Sequence, residues 1–185
     1  MRLSPGKFDG VTVIDIERKG DARGHFARLF CERELAQNGI EFRAVQTNLS
    51  YNAQALTLRG MHYQDLSVPE PKIVRCLRGE IFDVAVDLRP QSPSFGQWHG
   101  ERLSAENGRA LYIAPGLAHG FLSLTDETEI LYHMGGFYAA ELARAVRWND
   151  PHLGIVWPDA PAVVSDRDAA APLMVELFPE RFADG

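Results

Sequence analysis

The apolar residues of this chain come in short runs broken by turn residues: 11–16, 26–31, 44–49, 73–77, 81–88, 111–114 and 130–134. Runs of this length, punctuated by glycine, proline and asparagine, predict many strands. Within 81–88, Phe82, Val84, Val86 and Leu88 alternate with Ile81, Asp83, Ala85 and Asp87, the two-residue period of a strand with at least one buried face. Arg78-Gly79 separates this run from the β-prone 73–77, so the two read as a hairpin. Helical periodicity is confined to Glu32–Gln37, ahead of Asn38-Gly39, and more weakly to 139–146. Proline-rich loops are expected at Pro69-Glu70-Pro71, 89–93 and 157–161, without the composition change of a domain linker. These features predict one all-β domain over residues 1–185, a sandwich or barrel whose mouth can hold a small ligand.

Composition narrows the partners. A chain of 185 residues can bury a sufficient core without disulfide or structural metal, and Cys31 and Cys76 lie far apart, outside any CxxC spacing. A net charge of −6 argues against general affinity for nucleic acid, although a few placed arginines can still bind an anion. Residues 1–10 hold no apolar core of signal-peptide length, and no run approaches the roughly 20 apolar residues of a membrane span. The expectation is a cytoplasmic protein with no membrane partner.

The densest polar cluster is Leu58-Arg59-Gly60-Met61-His62-Tyr63-Gln64, on an expected strand where His62 and Gln64 share a face and Gly60 allows a bulge or close approach. Lys72 opens the next strand on the face of Val74 and Cys76, where an ammonium is costly unless an anion or carboxylate meets it. A tight turn at Pro115-Gly116 leads to a second histidine, His119. Tyr132 shares a face with Ile130 and Met134 and is expected to point inward, where its phenol could donate a proton. His62, Gln64 and His119 raise a metal-dependent cupin as a competitor. Metal cupins, however, place two histidines two residues apart, and here that second position is Gln64, so a metal-free site is favoured.

Taken in order, Arg23-Gly24, Gln46-Thr47-Asn48, the Leu58–Gln64 cluster, Lys72, Gly79-Glu80-Ile81-Phe82-Asp83-Val84, Ala118-His119-Gly120-Phe121, Tyr132, Trp148-Asn149-Asp150-Pro151, Trp157-Pro158 and Ser165-Asp166-Arg167-Asp168 resemble the dTDP-4-dehydrorhamnose 3,5-epimerase family over nearly the whole chain. The resemblance implies a cupin-type jelly-roll barrel, a homodimer, no cofactor, and inversion at the carbons flanking the C4 ketone of a nucleotide-linked 4-keto-6-deoxyhexose. It implies a catalytic set of His62 as base, Asp168 as holder of its imidazole, Tyr132 as the acid at C5, and Lys72 near the C4 oxygen. Substrate contacts are implied for Arg23, Gln46, Asn48, Arg59 and Arg167 around the sugar and diphosphate, for His119 in the sugar pocket, for Tyr138 beside the substrate and for Phe26 near the base. A proton α to a ketone is acidic enough for such a base when the enolate oxygen is stabilised.

One position departs from the family pattern. Asp-x-Arg-Gly-x-Phe-x-Glu is usual, and this chain has Arg28 where the glutamate is expected. That exchange bears on the nucleotide and leaves a CDP-linked sugar open beside the dTDP-linked one. Enzymes inverting only one centre share the fold, and a non-catalytic sugar-nucleotide binder is a further alternative.

Overall fold

The computed structural model describes residues 1–182, and its regular structure is mostly antiparallel strand with few short helices, as the run pattern predicts. With strands numbered in chain order, one six-stranded sheet runs β1 (Arg2–Pro5), β2 (Val11–Asp15), β10 (Ala110–Ile113), β7 (Lys72–Arg78), β12 (Thr128–Met134) and β5 (Gln46–Asn52). The facing sheet runs β13 (Ala143–Ala145), β6 (Thr57–Gln64), β11 (Leu117–Ser123), β8 (Glu80–Asp87) and β9 (Trp98–Ser104), with β14 (Val163–Val164) parallel to β6. A separate small hairpin joins β3 (Lys19–Asp21) to β4 (Gly24–Phe26). The helices are α1 (Glu32–Gln37), α2 (Asp166–Ala169) and α3 (Met174–Leu177), none long and apolar enough to cross a membrane.

Side chains from both sheets meet in the middle. Val13, Val74 and Ile130 of the first sheet pack with Ile81, Leu103 and Phe121 of the second in one buried cluster. The outer face of the first sheet is partly covered by α1 and the segment after it, where Leu35 and Phe42 join Ile14 and Ile73. The outer face of the second sheet is covered by the C-terminal segment, with Val84, Val86 and Leu88 packing beside Val146, Leu153 and Met174. β8 is therefore buried on both faces, so its alternating pattern separates two apolar environments rather than core from water. The arrangement is the two-sheet, cupin-type jelly roll.

Three local expectations are corrected. Residues 73–77 and 81–88 do not form a hairpin: β7 pairs with β10 and β12, while β8 pairs with β9 and β11. Gly79, at φ +77°, carries the chain from one sheet to the other, and a Cβ there would fall 2.3 Å from the Thr125 hydroxyl. The run 26–31 yields only the end of β4 at Phe26, because Phe30 turns to pack edge-on against Phe42. Residues 139–146 form a single 3-10 turn and then β13, whose pairing with β6 supplies bonds that a helix would have to supply internally.

Candidate active site

A cavity of about 320 Å³ opens between the sheets. One wall presents Asn48 from β5, Lys72 from β7 and Tyr132 from β12; the other presents Arg59 and His62 from β6 and His119 from β11. On β6 Arg59 and His62, three residues apart, both face inward because the β6–β11 ladder is irregular between them, and antiparallel pairing sets His62 directly beside His119, and Tyr132 beside Asn48.

β6 and β11 approach closely where two glycines meet. Gly60 has φ +136°, and a Cβ on it would lie 2.5 Å from the Gly120 Cα. The ladder slips at this point, between His119 and Phe121, which sets His62 and His119 on the cavity wall. The amide of Gly60 also donates to Asp168 Oδ2 at 3.1 Å, so the same glycine fixes the carboxylate behind His62.

His62 Nε2 lies 2.7 Å from Asp168 Oδ1. A carboxylate at that distance accepts from Nε2–H, which leaves Nδ1 as the unprotonated nitrogen. Asp168 sits on α2, whose first turn is capped by the Ser165 hydroxyl receiving the Asp168 amide at 3.1 Å. Burial works to raise the Asp168 pKa, but hydrogen bonds from His62, Gly60 and Ser165 outweigh it and hold the carboxyl below its usual range.

Tyr132 packs on the core and meets the ring of His119 edge-on at 5.9 Å. Burial, helped by the charge of Asp83, raises its phenol far above the ordinary value and keeps it protonated as a donor. Lys72 Nζ lies 2.9 Å from Glu70 Oε1, and each side chain is only 8% exposed. Arg59 is oriented by Nε–H donation to Asn52 Oδ1 at 2.8 Å.

A smaller adjoining cavity of about 130 Å³ shares His62 and Lys72 with the first and adds Tyr138, Arg144, Arg167 and Glu70. Gln46 stands nearby, its Oε1 accepting from the Tyr138 amide at 3.1 Å. Arg23 and Phe26 are not brought to either cavity. They sit on the β3–β4 hairpin, where Arg23 pairs with Asp21 at 2.5 Å and Phe26 is exposed.

Gln64 lines the smaller cavity beside His62 but does not reach the larger one. Its amide donates to the carbonyls of Val68 and Phe137 and accepts from the Ala139 amide, tying loops together. Among the described residues no group of three or more His, Cys, Asp or Glu side chains is arranged to hold a metal ion. His119 Nε2 is engaged by Asp83 Oδ1 at 2.7 Å, and Asp83 is fully buried.

Asp83 and Glu70 are the site residues that reading the sequence did not single out. The signal for Asp83 was a carboxylate between Ile81 and Ala85 on one strand face; for Glu70 it was a carboxylate locked between two prolines just ahead of Lys72.

Residues 5–176 match the family profile described as dTDP-4-dehydrorhamnose 3,5-epimerase. A relative of that name from Sinorhizobium fredii is 42% identical over 168 residues, covering 90% of this chain and 86% of its own. A dTDP-4-dehydrorhamnose 3-epimerase from Streptomyces niveus is 38% identical over 177 residues, covering 95% and 85%. The solved structure of the dTDP-6-deoxy-D-glucose-3,5-epimerase of Legionella pneumophila, in complex with dTDP-4-keto-L-rhamnose, superposes with a TM-score of 0.89 at 39% identity, covering 97% of this chain and 95% of that one. The chain belongs to the dTDP-4-dehydrorhamnose 3,5-epimerase family.

Proposed function

We propose that the protein is a cofactor-independent epimerase that converts dTDP-4-dehydro-6-deoxyglucose to dTDP-4-dehydrorhamnose by removing and returning protons at C3 and C5. The observation that carries this reading is the His62–Asp168 pair on one cavity wall with Tyr132 and Lys72 on the other. Inversion needs a base on one face of the sugar and an acid on the other, and two facing sheets supply those two directions.

In this reading Nδ1 of His62 takes the C5 proton and then the C3 proton, and Asp168 stabilises the imidazolium that forms. The electron pair moves onto the C4 oxygen, where the Lys72 ammonium meets the developing charge. Tyr132 delivers its phenolic proton to C5 from the opposite side, and burial, by keeping that phenol protonated, suits it to the task. Arg59 and Asn48 at the cavity, with Gln46, Tyr138 and Arg167 at its edge, would orient the sugar and diphosphate, and His119 would line the sugar pocket.

Arg23 and Phe26 fit the reading through a homodimer, in which the exposed hairpin of one copy would reach the other copy's substrate. Leu49, Tyr51 and Leu77 are exposed on the outer face of the first sheet, and the buried Arg75 beside them has an Nη1 without a hydrogen-bond partner. Light scattering should give twice the chain mass. We further take residues 1–185 as one domain, supported by the family match over 5–176, and a cytoplasmic location suits a nucleotide-sugar substrate.

The decisive experiment follows solvent deuterium into C3 and C5 of 4-keto-6-deoxy sugars carried on dTDP, CDP, GDP and UDP. Label at both carbons of the dTDP sugar supports the proposal. Label at C3 alone would make the protein a single-centre enzyme, as the Streptomyces niveus relative is named. A preference for the CDP sugar would trace to Arg28, which pairs with Glu34 at 2.5 Å. No label on any of them would leave a sugar-nucleotide binder.

A further inference from the structure

We propose that Glu70 is a positioning residue for the reaction: it pairs with the Lys72 ammonium and holds it in place, so that the remaining N–H groups are presented to the cavity. The inference rests on the role given above to Lys72.

The first support is burial. Lys72 enters the protein on the face of Val74 and Cys76, which are 0% and 1% exposed, and its own side chain is 8% exposed. Burying an ammonium in such surroundings is costly unless a carboxylate compensates the lost hydration. Glu70, at 2.9 Å, is the carboxylate paired with it among the described residues.

The second support is the way Glu70 is held. Pro69 and Pro71 fix the backbone on either side of it. The Pro71 carbonyl accepts from the Gly135 amide at 2.7 Å, and a Cβ on Gly136 would come within 2.4 Å of the Pro69 carbonyl oxygen. The loop is thus seated on the residues that follow β12, the strand of Tyr132, and two glycines make that close approach possible. The carboxylate is delivered by the fold rather than by a mobile surface loop.

The third support is direction. Lys72 lines both cavities, whereas Glu70 lines only the smaller one. The carboxylate therefore approaches from the side away from the main cavity, and an ammonium with three N–H groups has donors left for a substrate oxygen. A carboxylate inside the main cavity would instead have opposed the charge that develops on that oxygen.

The test compares kcat and KM of wild type, E70Q and E70D for deuterium exchange into dTDP-4-dehydro-6-deoxyglucose. Glutamine keeps the shape and removes only the charge. E70Q should lower kcat roughly tenfold or more with KM little changed, because the ammonium is no longer held where the charge develops. E70D should recover part of the lost kcat. Wild-type exchange together with an E70Q enzyme of unchanged kcat, or an E70D enzyme no better than E70Q, would overturn the inference alone. An absence of exchange in wild type would overturn the epimerase reading and this inference with it.

Discussion

Asp168 reaches His62 across 106 positions of sequence and engages it at 2.7 Å, while its second oxygen accepts from the Gly60 amide at 3.1 Å. Both oxygens act as acceptors, so the carboxylate cannot be replaced by an amide without leaving one donor facing another. In D168N the backbone N–H of Gly60 would claim the amide oxygen, and the NH2 group would then face His62 Nε2. The ring would have to carry its proton on Nδ1, the nitrogen proposed as base. D168N should lower the exchange rate by on the order of 10³-fold with little change in substrate affinity, which single-turnover kinetics would measure.

Y132F should separate abstraction from inversion. Phenylalanine preserves the edge-on packing against His119 and removes the phenolic proton. Deuterium should still enter C5 through His62, since the enolate forms without the phenol, but the product should keep the starting configuration at C5. Nuclear magnetic resonance of the product distinguishes the two outcomes.

G60A tests the glycine contact beneath the site. Its Cβ would meet the Gly120 backbone at 2.5 Å and its φ of +136° suits only glycine. The substitution should cost about 3 kcal/mol, read as a melting temperature lower by roughly 10 °C. Activity should fall further than the folded fraction, because the same amide anchors Asp168.

Acid stability should depend on Asp87. Burial works to raise its pKa, but hydrogen bonds from Arg89, Ser92 and Ser94 prevail and bring it down to about 2. A folded value below the unfolded one of about 3.9 means that the stabilisation is present in full above that value and is lost as pH falls through about 2. The contribution is on the order of 2 kcal/mol. Urea unfolding of wild type and D87N should therefore differ by about that much more at pH 6 than at pH 2.

Much of the fold was legible because β2, β7, β8, β10 and β12 announce themselves as short apolar runs, and α1 by its stop at Asn38-Gly39. Alternation reports which side chains share a face but carries no information on partners. That is why the Arg78-Gly79 corner read as a hairpin and why β13, which exists only by leaning on β6, read as a poor helix. In the site, His62, Lys72, His119 and Tyr132 stand in recognisable motifs. Asp83 reads as one polar residue in an alternating strand, and its partner becomes evident only when β11 pairs with β8 and sets His119 against it.

The corner at Gly79 has a consequence for how such a site can change. Because the strands from β5 to β8 and from β9 to β12 alternate between the layers, His62 and Tyr132 stand on opposite sheets, and their separation is a property of the gap between layers. Side chains that fill the interior below the cavity, such as Val74, Ile81 and Leu103, act as shims that set this gap. The choice between inverting one carbon and inverting two could then be tuned from the core, by changes in volume that leave every reacting group in place.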